Sequence, residues 1–180
     1  MDKTETNELP PCMIFIDKEG RWYHEGAEMI HRDFIRLFYK NMELDSEGRY
    51  VINWDGKRCR VDVEDTAFVV RRVVYHGGEK TGNDRFVLSL SDDSEEGLMP
   101  DTIFIGQDNV LYCRVKSHVF PARFNRAAYY QLAGYIEEEN ESYYLPLNGK
   151  KYGISREPDP PGKEKLKHIG NGASNSRRDF

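Results

Sequence analysis

Apolar and polar positions along residues 14–154 follow two periods. Extended segments are predicted at 13–16, a short apolar run, and at 21–24, on either side of the turn Asp17-Lys18-Glu19-Gly20. Ile30, Phe34, Leu37, Phe38 and Met42 then recur at helical spacing and predict a helix over 31–42. Strands follow at 49–54 and 57–64 around Asp55-Gly56, a dipeptide that favours a hairpin turn with positive φ. In the last of these, Cys59, Val61 and Val63 face one way, and Arg58, Arg60, Asp62 and Glu64 the other. A hairpin is predicted from 67–75 and 85–91, with Phe86, Leu88 and Leu90 alternating and Arg71-Arg72 interrupting the first strand. Strands at 103–105, 110–116 and 119–124 precede a helix over 126–138, for which Asn125 is a suitable N-cap.

The pattern repeats. Ile14-Phe15-Ile16 leading to Tyr23 is matched by Ile103-Phe104-Ile105 leading to Tyr112. After each helix, Tyr50 and Asp55-Gly56-Lys57-Arg58 are matched by Tyr143 and Asn148-Gly149-Lys150-Lys151. The expected fold is α+β, with two similar β-β-α-β-β lobes from an internal duplication. Each lobe is expected to be an antiparallel sheet with one helix. The expected division is a first lobe over 13–65, a connecting hairpin and acidic linker over 66–101, and a second lobe over 102–155. Segments 1–12 and 156–180, rich in Pro, Gly, Ser and charge, are expected to be disordered because they hold too little apolar surface to offset ordering entropy.

Composition narrows the function classes. The chain has 180 residues and a formal net charge of −5, a poor basis for sequence-independent nucleic-acid binding. With Gly counted in place of Tyr, apolar residues make up about 40% of it, under the usual ~45–50%, which fits loose ends. No apolar run approaches the ~18 residues of a membrane helix, and residues 1–13 lack the apolar core of a signal peptide. Three widely spaced cysteines, Cys12, Cys59 and Cys113, without a Cys-x-x-Cys pair, predict neither a disulfide framework nor a zinc site, and a cytoplasmic location. Cys59 and Cys113 are expected to be buried and inert.

Candidate chemistry is sparse. His76-Gly77-Gly78-Glu79-Lys80-Thr81-Gly82 mimics a phosphate loop, but Val74 and Glu79 stand where glycines are required and a strand follows, so it reads as a hairpin loop. The histidines show no ligand spacing, and no cofactor motif is present. Asp62 and Glu64 on one strand face read as a solvated surface beside Arg58 and Arg60.

The clearest charge signal runs from Asn109 to Ile136, where no Asp or Glu occurs but Arg114, Lys116, Arg123 and Arg126 do. Tyr112, Arg114 and Lys116 share a strand face, and Arg126 opens a helix, where anions are favoured. Arginines grip phosphate or carboxylate, and Tyr112 or Tyr130 is placed to stack on a ring. The competing reading is a basic surface balancing Asp92–Glu96 and Glu137–Glu139. Gly20-x-Trp22-x-His24-x-Gly26 supplies a second ring and a titratable group on one strand face, against the plainer alternative of a packed Trp and a bonded His.

Several of these segments together resemble a known family. They are Ile16-Asp17-x-x-Gly20-x-Trp22-x-His24-x-Gly26, Arg49-Tyr50, Val63-Glu64-Asp65-x-x-Phe68, Cys113-Arg114-Val115-Lys116, Phe120-x-Ala122-Arg123-Phe124 and Tyr129-Tyr130-x-Leu132-Ala133. The set is similar to the bacterial domain-of-unknown-function family twelve eighty-five, over about 14–154. Segment 71–101 matches it poorly. The resemblance implies a two-lobed, internally duplicated α+β protein whose second lobe is superficially like a pleckstrin-homology fold. It also implies a nucleotide-like ligand between the lobes, a role in signalling, and no established catalytic residues or cofactor. The expectation is therefore a binding or sensor protein for a small anionic ligand, a nucleotide among the candidates. Trp22, His24, Tyr112, Arg114, Lys116, Arg123, Arg126 and Tyr130 are its expected contacts. The alternatives are an enzyme acting on a phosphorylated small molecule, with His24 or Glu64 carrying the proton, and a protein-interaction module. A membrane partner is not expected, and a nucleic-acid one carries little weight.

Overall fold

A computed structural model describes residues 8–78 and 82–157. Two mixed sheets and two helices form an α+β structure. The first sheet contains β1 (Pro11–Ile16), β2 (Trp22–His24), β3 (Ala27–Glu28), β4 (Met42–Leu44), β5 (Tyr50–Trp54) and β6 (Lys57–Val63), in the order β3-β2-β1-β6-β5-β4. Helix α1 (Arg32–Lys40) carries the chain from β3 to β4. The second sheet contains β7 (Phe68–His76), β8 (Arg85–Leu90), β9 (Glu95–Gly97), β10 (Phe104–Ile105), β11 (Leu111–Val115) and β12 (Phe120–Phe124). Helix α2 (Arg126–Ala133) then leads to β13 (Glu137–Glu139), β14 (Ser142–Leu147) and β15 (Lys150–Arg156). Its order is β13-β14-β15-β10-β11-β12-β7-β8-β9.

The expected antiparallel sheets are instead mixed. β1 pairs parallel with β6, β10 with β15, and β12 with β7. A helix crossing over between hairpins returns the last strand of each unit beside its first, in the same direction. The order β3-β2-β1-β6-β5-β4 recurs as β12-β11-β10-β15-β14-β13. Registers recur with it. Ile16 faces Trp22 on one side and Val63 on the other, as Ile105 faces Leu111 and Arg156. The hairpin over 67–91 does not stand apart, since β7 continues the second sheet beyond β12.

The helices are shorter than expected, and α1 buries a different stripe. Ile35 and Tyr39 are buried, whereas Ile30 is 75% and Phe34 57% exposed. Two overlapping apolar stripes compete along this helix. The one with Tyr39 is inward because its hydroxyl reaches Ala67 O and Ser91 Oγ, each at 2.8 Å, which satisfies a buried polar group. Met42 leaves the helix and is buried in β4. Helix α2 stops at Ala133, and Glu137–Glu139 pairs with β14 instead of extending it.

The two sheets share one core. Trp22 stacks on Phe38 at 6.0 Å and meets Tyr39 edge-on at 4.8 Å. Tyr39 leads to Phe68, and Phe68 to Phe120, each pair 4.9 Å apart. Two corrections concern the start of the chain. Residues 8–12 are described, and β1 begins at Pro11. Cys12 and Cys59 form a disulfide, Cα atoms 5.0 Å apart, because parallel pairing of β1 with β6 sets them side by side. Cys113 is free and buried, and burial pushes its thiol pKa well up, which keeps it protonated and inert. The segment expected to be a disordered tail contributes Arg156 to β15; residues 158–180 lie outside the described part.

Candidate functional site

Two of the four cations of the basic window, Lys116 and Arg123, are neutralised by carboxylates from outside it. Tyr112 on β11 and Arg123 on β12 pair across the ladder, so both side chains emerge on one face. That face meets Asp65, only 1% exposed. The Tyr112 hydroxyl donates to both Asp65 oxygens at 3.0 Å, and Arg123 Nη1 donates to Asp65 Oδ2 at 2.6 Å. Arg123 N also donates to Thr66 Oγ1 at 3.1 Å. Lys116 Nζ lies 2.8 Å from Asp92 Oδ2 and 3.6 Å from Glu96 Oε2. Tyr112 is fully buried and stacked on Phe104, so it offers no face to a ring. The expectation that Arg123 and Lys116 hold phosphate is therefore corrected: carboxylates close in space, though distant in sequence, already hold them.

Trp22 is corrected in the same way. Its ring is buried under Phe38 and Tyr39 and cannot serve as a ligand platform. His24 is exposed on β2, opposite Ala27 of the short strand β3, and lines none of the cavities described below. Arg114 is half-buried; its backbone N–H donates to Thr102 Oγ1 at 3.2 Å, and its guanidinium makes no ion pair among the described residues.

Arg126 and Tyr130 are the expected residues that stay available. Asn125 sets the start of α2: its N–H donates to Val70 O at 3.0 Å, and its Oδ1 accepts from Ala128 N at 2.8 Å. Arg126 is exposed, 5.8 Å from the ring of Tyr130, which is itself 62% exposed. No carboxylate pairs with Arg126 among the described residues.

Two adjoining cavities lie along α2. One of about 200 Å³ is lined by Arg123 of β12, by Asn125 and Arg126 at the start of α2, and by Glu19 in the turn between β1 and β2. The other, about 550 Å³, is lined by Ile105, Ala133, Ile136, Glu138, Ile154 and Arg156. Asn109, Leu111 and Tyr129 line both. Arg156 Nη1 donates to Asn109 Oδ1 at 3.1 Å and pairs with no carboxylate among the described residues. Asn109 is held at φ 57°, a left-handed conformation that Asn tolerates. Sequence reading missed both residues. Arg156 pairs with Ile105 as Val63 pairs with Ile16, so the matching turns Asp55-Gly56 and Asn148-Gly149 were the available signal that the strand runs on to it. A third cavity of about 370 Å³ separates α1 from the second sheet, lined by Arg36, Lys40, Phe68, Asp92, Lys116 and Phe120. Lys116 alone of the expected contacts reaches it.

Among the described residues, no group of three or more His, Cys, Asp or Glu side chains is placed to hold a metal ion. None of their helices is long and apolar enough to cross a membrane.

No family model matches the chain. No curated protein matches it either. Among solved structures it is similar to a DUF1285 family protein from Silicibacter pomeroyi, with 17% identity, a TM-score of 0.64, and coverage of 84% of this chain and 86% of that one. It is also similar to a DUF1285 family protein from Shewanella baltica, with 17% identity, a TM-score of 0.55, and coverage of 68% and 91%. The chain thus has the fold of DUF1285 family proteins, the same family that its sequence motifs resemble.

Proposed function

We propose that this chain is a binding protein, in a sensing role, for a small anionic ligand held in the paired cavities along α2. One observation carries the proposal: Arg126 and Arg156, two arginines without carboxylate partners among the described residues, flank the shared wall Asn109–Leu111–Tyr129. The larger cavity falls in the ~300–1,000 Å³ range of small-molecule sites. Glu19 belongs to the first lobe, so a ligand there touches both lobes and couples occupancy to their contact. The recurrent strand order and register support a single unit written twice, with the site on its second copy. The likeness to DUF1285 proteins agrees with a binding role only through the shared fold. Exposed Ile30, Phe34 and Trp54 on the first lobe favour a protein-interaction surface as the second reading. His24 and Glu64 line neither cavity along α2, so the enzymatic alternative gains no support from them.

A thermal-shift series with inorganic phosphate, AMP and small carboxylates tests the proposal. At least one anion is expected to raise the melting temperature, by an amount that grows with the logarithm of its concentration above the Kd. Arg126→Ala combined with Arg156→Ala is expected to remove the gain. If no anion raises it, or the gain survives the double substitution, the proposal fails.

A further inference from the structure

We infer that the ligand of this site is a small zwitterion, an amino acid, held in the larger cavity between Arg156 and Glu138. The inference rests on the reading above that the arginines take an anionic group, and adds an ammonium group at the glutamate. Each cavity along α2 is lined by one arginine and one glutamate whose side chains form no ion pair among the described residues. They are Arg156 and Glu138 in the larger cavity, and Arg126 and Glu19 in the smaller. The remaining charged residue of these walls, Arg123, is held by Asp65. Free side-chain charge therefore sums to zero in each cavity. A ligand with anionic groups alone gains at the arginine and is opposed at the glutamate, whereas a zwitterion is complementary to both.

The strand ladder puts Glu138 on the cavity side. Along β13 successive side chains point to opposite faces. Glu137 accepts from the Tyr144 hydroxyl at 2.7 Å and Glu139 pairs with Lys151 Nζ at 2.8 Å, which accounts for one face. Glu138 takes the other. It is in register with Tyr143, and Tyr143 with Ile154, so these side chains share a face, and all of them line the larger cavity. Arg156 follows Ile154 by two residues on β15, on that same face and in register with Ile105. Glu138 and Arg156 are thus two strands apart and two residues along, their Cα atoms roughly 12 Å from one another. No ion pair joins them, and both line the cavity. Arg156 Nη1 is steadied by Asn109 Oδ1 at 3.1 Å, which leaves its other N–H groups for a carboxylate. An amino acid there sets its carboxylate on Arg156 and its ammonium on Glu138, each through charge-assisted hydrogen bonds.

The experiment compares four compounds of equal carbon count by isothermal titration calorimetry on the full chain. Two are isomeric zwitterions, 2-aminopentanoate and 5-aminopentanoate. Pentanoate lacks the ammonium, and pentylamine lacks the carboxylate. At least one zwitterion is expected to bind about tenfold or more tightly than pentanoate and pentylamine. Glu138 is exposed, so Glu138→Gln leaves the fold intact. That substitution is expected to remove the advantage over pentanoate, and to leave pentanoate bound as well as before or better. Glu137→Gln, on the opposite face of the strand, is expected to change neither affinity. The inference is overturned if neither zwitterion binds better than pentanoate, or if the advantage survives Glu138→Gln. Phosphate or AMP binding with all four compounds silent also overturns it, while the anionic reading stands. Silence from these compounds and from every anion removes both.

Discussion

Asp65 shows why residue types alone misplace charge. Its carboxylate is almost wholly buried, accepts from Tyr112 and Arg123, and so consumes the centre of the basic window. The sequence makes Arg123 legible as a cation and Asp65 as an acid, but not that they meet across the two lobes. Removing one partner of such a pair leaves the other buried and unpaired, at a typical cost of ~3–5 kcal/mol. Asp65→Ala is therefore expected to destabilise the fold by about that amount in urea denaturation. Adding Arg123→Met and Tyr112→Phe is expected to recover a large part, because apolar replacements restore consistency. A loss under ~1 kcal/mol for Asp65→Ala would show that Arg123 relaxes to solvent and that the pair does not organise this face. Arg126 was legible because its neighbours are local, the N-cap Asn125 and Tyr130 one turn on.

At the scale of elements, hairpins were readable and strand neighbours were not. Turn chemistry is local: Asp17 Oδ1 accepts from Glu19 N and Arg21 N while Oδ2 accepts from Arg21 Nε. Asp45 repeats this with Glu47 and Arg49, so Asp-x-Glu-Gly-Arg serves as one turn module used twice. Parallel pairs join segments far apart in sequence, and the Cys12–Cys59 disulfide depends on such a pair, so cysteine spacing could not reveal it. Helix α1 buries another face than its spacing predicts for a different reason, since two apolar stripes fit its period and the partners of Tyr39 select between them. The turn modules lead to a comparison of two glycines. Gly20 has φ +76°, and a Cβ there would lie 3.0 Å from Ser91 Cβ and 3.1 Å from Val69 Cγ2. Gly56 has φ +72° with nothing within 4 Å. Gly56→Ala is expected to cost only the backbone term, ~1–2 kcal/mol. Gly20→Ala adds a clash between the lobes and is expected to cost clearly more. Equal urea midpoints for the two variants would mean that the first turn does not press on the second sheet.

At the scale of the molecule, the lobes are clasped by charge as well as by the aromatic core. Asp93, in the turn between β8 and β9, accepts from Arg32 Nη2 at 2.7 Å and from Arg32 and Arg36 Nε at 3.1 Å, both arginines lying on α1. Arg71 of β7 adds a contact at 3.9 Å. Partial burial alone would raise the Asp93 pKa, but the hydrogen bond and charge of Arg32, with Arg36 and Arg71, outweigh it and hold the carboxyl below its usual range. A carboxyl whose pKa is lower in the folded state contributes stability that is full above its unfolded value of ~3.9. That contribution is lost as pH falls through the folded value. Asp93→Asn is therefore expected to lower the melting temperature at pH 7. The gap from wild type should narrow as pH is taken below about 4, where the wild-type carboxyl is progressively protonated. Because the clasp is partly solvated, added salt should narrow the gap as well. A gap constant from pH 7 to pH 3 would mean that the substitution acts by altering the shape of the turn. A gap that narrows on both titrations would place an electrostatic clasp between α1 and the second sheet. There it is separate from the α2 cavities, so their occupancy and the clasp can be perturbed independently.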